Sequence, residues 1–204
     1  MQEPRGRYVQ QTAAEQTVTN TLVLGVGNVL LADEGAGVHA MRYLQNHYDL
    51  QGVTYLDAGT LSFTLAADIA EADHMIVFDA AQLGAEPGGI KVLQDEEVDE
   101  FLKSGKGSVH EVGFADLMDI ARLEGHLPKR YALFGIQPET LGWGEFPSET
   151  VRRALPRAAA NAGVRQDPGG RTAEFEIEDV NAERAAPTDD TVAGGVVVGA
   201  GERG

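Results

Sequence analysis

The chain contains no cysteine, and that absence removes a block of chemistry at once. Disulfides, thiolate zinc sites, iron–sulfur ligation and a cysteine nucleophile are excluded. Cationic residues are scarce: 16 Lys and Arg stand against 32 Asp and Glu, a net charge of −16. Nucleic acid is therefore not an expected partner, because affinity for it rests on Lys and Arg neutralising phosphates. Long apolar runs are missing too. No segment reaches the ~20 apolar residues that cross a bilayer. The polar opening, 1–20, lacks the apolar stretch of a secretory signal. These absences together point to a cytoplasmic protein with no membrane insertion.

What is present suits one folded domain. Hydrophobic residues make up 43% of 204, enough to bury a full core. The reading along the chain gives a flexible lead over 1–20, a folded domain over 21–165, and a tail over 166–204. The tail carries nine acids against three Arg, is rich in Gly and Ala, and is expected to be mostly disordered.

Within the domain, short apolar runs ended by Gly or Asp read as strands at 21–24, 53–56, 75–78, 90–93 and 131–136. Helical spacing is read from about Glu34 or Gly35 to His47, over 61–70, and over 113–123. Ser148 is a candidate N-cap for a last helix reaching about Ala162, which Pro156 is expected to bend or interrupt. Strands alternating with amphipathic helices predict an α/β fold: a twisted, mostly parallel five-stranded sheet with helices on both faces.

In such sheets ligands bind beyond the carboxyl ends of the strands. Acidic residues fall there at three strand ends. Asp33 and Glu34 follow the turn Gly25-Val26-Gly27-Asn28-Val29-Leu30-Leu31-Ala32, Asp57 ends the second strand, and Asp79 ends the third. His110 lies on a glycine-containing loop able to reach the same edge. Carboxylate oxygens with one imidazole suit a divalent first-row metal, and Ni²⁺ or Zn²⁺ would bind more tightly than Mn²⁺. Plainer roles exist for each: Asp33 as a helix cap, Glu34 as a complement to the helix dipole, Asp57 as a turn residue, His110 as a loop histidine. Asp79 is the hardest to explain away, because a carboxylate in a central strand is costly.

Other motifs fail. The glycine turn has Leu30 where the dinucleotide fingerprint needs a third glycine, and Asp57 comes 30 residues after Gly27, later than the ribose-binding acid. After His110-Glu111 the zincin position holds Phe114 instead of a second histidine.

The assembled pattern resembles the hydrogenase maturation endopeptidases, the proteases that finish the large subunit of [NiFe] hydrogenases, closest to those serving uptake-type enzymes. The carrying segments run from Leu24-Gly25-Val26-Gly27-Asn28 to Ala32-Asp33-Glu34-Gly35. They continue with Leu56-Asp57-Ala58-Gly59-Thr60, Ile76-Val77-Phe78-Asp79-Ala80, Ser108-Val109-His110-Glu111-Val112-Gly113 and Phe134-Gly135-Ile136-Gln137-Pro138. The resemblance implies an endopeptidase that removes a C-terminal extension from the large-subunit precursor after nickel insertion. Residue by residue, it implies Glu34, Asp79 and His110 as nickel-contacting and catalytic residues, and Asp57, with Gly59 and Thr60, as substrate-recognising ones. The nickel would come with the substrate, so no resident cofactor is expected. Either the metal polarises the scissile carbonyl or a water, or a carboxylate acts as base. Two alternatives stay open at this point: a non-catalytic nickel-sensing assembly chaperone using the same ligands, and, weakly, a dinucleotide-dependent oxidoreductase. With so few bases, partner contacts are expected through backbone and apolar surface around Trp143 and Phe63.

Overall fold

A computed structural model describes residues 19–60, 63–104, 111–162, 164–166 and 173–175. Their core is a five-stranded sheet built from β1 (Thr21–Val26), β2 (Val53–Gly59), β3 (His74–Ala80), β4 (Ile90–Gln94) and β5 (Arg130–Ile136). The strand order is β2-β1-β3-β5-β4. All neighbours are parallel except β4, which runs antiparallel to β5 at one edge. The expected mostly parallel sheet is therefore present.

Side-chain alternation along the strands divides the apolar residues into two cores. Leu22, Leu24, Val26, Met75, Val77, Tyr131 and Leu133 point to one face. They pack against α2 (Ala66–Ala70), α3 (Glu96–Ser104) and α4 (Glu111–Leu123) through residues such as Ile69, Val98, Leu102, Leu117 and Met118. Val23, Ile76, Phe78, Ala132, Phe134 and Ile136 point to the other face. There they meet α1 (Ala36–His47) and α5 (Glu149–Asn161) through Ala40, Met41, Leu44, Val151, Leu155 and Ala158. Strands buried on both faces read as near-continuous apolar runs, which is why β1, β3 and β5 were legible.

Three elements depart from the sequence reading. Helix α3 was not anticipated; its short amphipathic stretch, Val98 and Leu102 inward, is too brief for a sustained period. The first helix opens with a 3-10 turn, Ala32–Gly35, before α1 begins at Ala36. Pro156 does not interrupt the last helix, which runs through it from Glu149 to Asn161. Buried Ala154, Leu155, Ala158 and Ala159 on both sides of Pro156 anchor α5 to the sheet, and packing of that face outweighs one missing backbone bond. Ser148 does cap this helix, accepting from the Val151 N–H at 3.3 Å.

After α5, β6 (Val164–Gln166) pairs antiparallel with β7 (Ala173–Phe175), so Gln166 and Ala173–Phe175 of the expected tail are in strands. The rest of the expected tail and the lead over 1–18 lie outside the described residues. No described helix is long and apolar enough to cross a membrane.

Glycines bring the first helix down onto the carboxyl edge of the sheet. A Cβ on Gly37 would lie 2.2 Å from the Phe78 carbonyl oxygen and 2.4 Å from that of Val26. A Cβ on Gly25 would lie 2.7 Å from Val38 Cα. These contacts leave no slack, so the start of α1 sits directly on the ends of β1 and β3. Gly37→Ala is accordingly expected to cost about 3 kcal/mol or more in urea unfolding, from overpacking against backbone. Gly142→Ala, whose Cβ would meet nothing closer than Thr140 Oγ1 at 3.8 Å, is expected to change stability by less than about 0.5 kcal/mol.

Candidate active site at the carboxyl edge

The turn after β1 shapes the site. Gly27 has φ +126°, and a Cβ there would lie 1.8 Å from the Glu34 carbonyl oxygen. The space that a dinucleotide fold keeps for pyrophosphate is thus filled by the backbone of the 3-10 turn. The Gly27 N–H donates to the Gly59 carbonyl at 2.6 Å, which ties this turn to the end of β2. The 3-10 turn also packs on β3. The first three acidic motifs therefore meet at one edge, as their places in the topology predict.

Their carboxylates do different things. Asp33 is fully buried and its charge is spent on the scaffold. Its Oδ2 accepts from the N–H groups of Glu139 at 2.8 Å and Thr140 at 2.9 Å, and its Oδ1 from Ser148 N–H at 2.6 Å. The expected Asp33-Glu34 pair open to a cation is corrected by this: Asp33 holds a distant loop. It does not cap its own helix either, since neither the 3-10 turn nor α1 has a side-chain cap. Glu34, the next residue, is half-buried on the same turn. Asp79 is 5% exposed, on β3 between β1 and β5. Gly37, three residues after Glu34, lies against the carbonyl of Phe78, the residue before Asp79. Both acids thus sit on rigid backbone at the same edge.

Asp57 lies within β2, which continues to Gly59. Its side chain accepts from Arg42 Nη2 at 2.9 Å and from the Gly59 N–H at 3.0 Å. Both members of the Arg42–Asp57 pair are half-exposed, so the pair orients the carboxylate more than it stabilises the fold. His39, on α1, is held below the usual histidine range by burial and then by the Arg42 charge, against the pull of Asp57. It is neutral at neutral pH and leaves Arg42 to Asp57. Gly59 (φ +51°) is the last residue of β2 and is partly buried, and Thr60 is exposed in the turn that follows.

His110 lies outside the described residues, as does the Phe63 side chain. Among the described residues no group of three His, Asp or Glu side chains is placed to hold a metal.

Two residues matter more than the sequence suggested. Gln137 directly follows β5 and is buried. Its Oε1 accepts from the Leu83 N–H at 2.8 Å, its Nε2 donates to Gln82 Oε1 at 3.1 Å, and its backbone pairs with Gly88 and Gly89. It locks the connection leaving β3, just beyond Asp79. A polar residue ending an apolar strand is the signal that flagged Asp79, and it would have flagged Gln137 too. Arg42 carried no local signal; only the tertiary fold brings it to Asp57.

A family model described as hydrogenase maturation protease matches residues 38–163. The chain belongs to that family. The hydrogenase expression/formation protein HupD of Rhizobium leguminosarum bv. viciae is 43% identical over 143 residues, 69% of this chain and 71% of its own. The hydrogenase 2 maturation protease of Escherichia coli (strain K12) is 43% identical over 122 residues, 59% of this chain and 74% of its own. The solved hydrogenase maturating endopeptidase HybD from E. coli superposes with a TM-score of 0.66 at 38% identity, over 70% of this chain and 88% of its own. The fold and the peptidase class are thus those the motifs implied. The family is one of proteases, which favours cleavage over the chaperone alternative and sets the oxidoreductase aside.

Asn in place of Asp33 has the same shape but one acceptor oxygen, and its NH₂ would face a backbone donor. Asp33→Asn is expected to cost about 2–4 kcal/mol, with faster amide exchange at Glu139, Thr140 and Ser148. Asp57→Asn, half-exposed, is expected to cost about 1 kcal/mol or less. Equal effects of the two would show that the Asp33 clamp does not hold the loop.

Proposed function

We propose that the protein is the endopeptidase that removes the C-terminal extension of a [NiFe] hydrogenase large-subunit precursor after nickel has been inserted. The observation that carries this reading is the separation of roles at the carboxyl edge. Asp33 is consumed by three backbone donors, while Glu34 and Asp79 stand beside it on rigid elements. Two carboxylates in a partly dry, anionic edge attract a divalent cation far more strongly than in water. The nickel arrives with the substrate, and Glu34, Asp79 and His110 grip it, so the precursor is tested for metal before it is cut. Asp57, oriented by Arg42 and followed by Gly59 and Thr60, meets the substrate chain next to the nickel.

Cleavage is a hydrolysis. A water oxygen adds to the scissile carbonyl carbon, the C–N bond breaks, and a water proton reaches the leaving amine. A carboxylate of the pair takes that proton from water and returns it to the amine. The substrate's nickel polarises the carbonyl and stabilises the developing oxyanion. Both roles draw on an edge from which bulk water is excluded as the precursor docks.

The test is mass spectrometry of the precursor, nickel-loaded and nickel-free, after incubation with the protein. The expected outcome is loss of one discrete C-terminal peptide from the loaded form only. Glu34→Gln, Asp79→Asn and His110→Ala, each with wild-type circular dichroism, are each expected to slow processing by about 10²-fold or more. Binding without any change of mass would replace the protease reading with the chaperone one. Cleavage of both forms would remove the nickel check, and normal processing by His110→Ala would remove that residue from the site.

A further inference from the structure

Among the described residues, six large hydrophobic side chains are exposed, and four of them gather at one place. Trp143 is 86% exposed, Phe146 74%, Leu141 53% and Leu30 51%. Three lie on the loop between β5 and α5, and the fourth lies on the turn between β1 and the 3-10 turn. The two segments are zipped together. Leu31 and Gly144 form a parallel bridge, the Gly144 N–H donates to the Leu30 carbonyl at 3.0 Å, and the Ala32 N–H donates to the Gly144 carbonyl at 2.7 Å. The Asp33 N–H donates to the Thr140 carbonyl at 3.2 Å, and the Asp33 carboxylate grips the loop at both ends. The loop is thus fastened on its inner side and turns its aromatics outward. A fixed apolar patch beside a site is a binding surface, because its ordering cost is already met in the free protein.

The surroundings say what covers it. Neither 19–41 nor 131–151, the two segments that build the patch, contains a Lys or Arg. Glu139 and Glu145 are exposed on the loop, and Glu34 stands four residues from Leu30. An apolar patch with an acidic rim and no cation selects a partner segment that is apolar and basic. A second copy of this chain would press Glu139 and Glu145 against their own counterparts, an unfavourable isologous contact. The acidic 166–204 segment meets the same repulsion.

We propose that Leu30, Leu141, Trp143 and Phe146 form the docking surface for the precursor protein, receiving a segment of apolar and basic residues and presenting the adjoining chain to Glu34. This rests on the function proposed above and adds the surface and the character of the bound segment. Trp143 is the anchor, since large aromatics at the centre of a contact dominate its affinity.

The experiment measures equilibrium binding of nickel-loaded precursor to the full-length protein and to W143A/F146A, together with single-turnover cleavage at saturating precursor. A melting temperature equal to wild type establishes that the double variant is folded. Kd is expected to rise about thirtyfold, while the saturating cleavage rate stays within about twofold. E139K/E145K is expected to weaken binding further at low salt and to lose that effect at high salt. Unchanged Kd in W143A/F146A overturns the proposal. So does a wild-type dimer, seen by sedimentation, that becomes a monomer in the variant with precursor binding intact. A wild-type protein that binds but never cleaves would defeat the protease reading and leave the docking surface standing, because Kd alone reads it.

Discussion

One buried carboxylate holds the active edge together. Asp33 is shut away from water, and three backbone N–H groups from residues more than a hundred positions later in the chain surround it. Charge-assisted bonds of this kind are about twice as strong as neutral ones. Here they satisfy donors that a long irregular loop would otherwise leave unpaired at the surface of the core. The loop over 137–148 takes its shape from this clamp and from the bridge at Gly144. Glu34 takes its position from the same turn. Turn and loop are therefore fixed to each other by the clamp and the bridge together.

Backbone packing supplies the rest of the precision. Gly25, Gly27 and Gly37 allow the first helix to lie on the strand ends with no intervening side chain. Gln137 performs the matching task on the far side, locking the chain that leaves β3. Asp79 lies between these two supports, on a strand bonded on both sides. On the function proposed above such rigidity matters, because a carboxylate misplaced by an ångström loses most of its effect. The Arg42–Asp57 pair is more exposed than Asp79.

Much of this was legible in the residues themselves. The strands were visible because parallel strands buried on both faces must be apolar throughout, but β2 and β3 run on past Asp57 and Asp79 to Gly59 and Ala80, so the acids lie inside the strand ends they were expected to mark. Helix α3 was hidden because two inward residues do not make a period. Pro156 reads as a break because local backbone preference carries no information about the face that α5 buries. Asp33 is a similar case: next to Glu34 in sequence it reads as half of a pair, yet its carboxylate is taken up by three backbone donors of a distant loop.

The sequence by itself determined the α/β class, the acidic edge at the strand ends and, through the order of its motifs, the hydrogenase maturation protease family. Those follow from periodicity and from residue types in order, which are properties of the chain before it folds. Only the tertiary structure decided that Asp33 is spent on the scaffold, through donors from the loop before α5. It also decided that Arg42 serves Asp57, and that Leu30 joins Leu141, Trp143 and Phe146 on one surface. The physical reason is that a side chain's partners are set by long-range backbone contacts. The donors that claim Asp33 come from a loop whose approach no local pattern encodes.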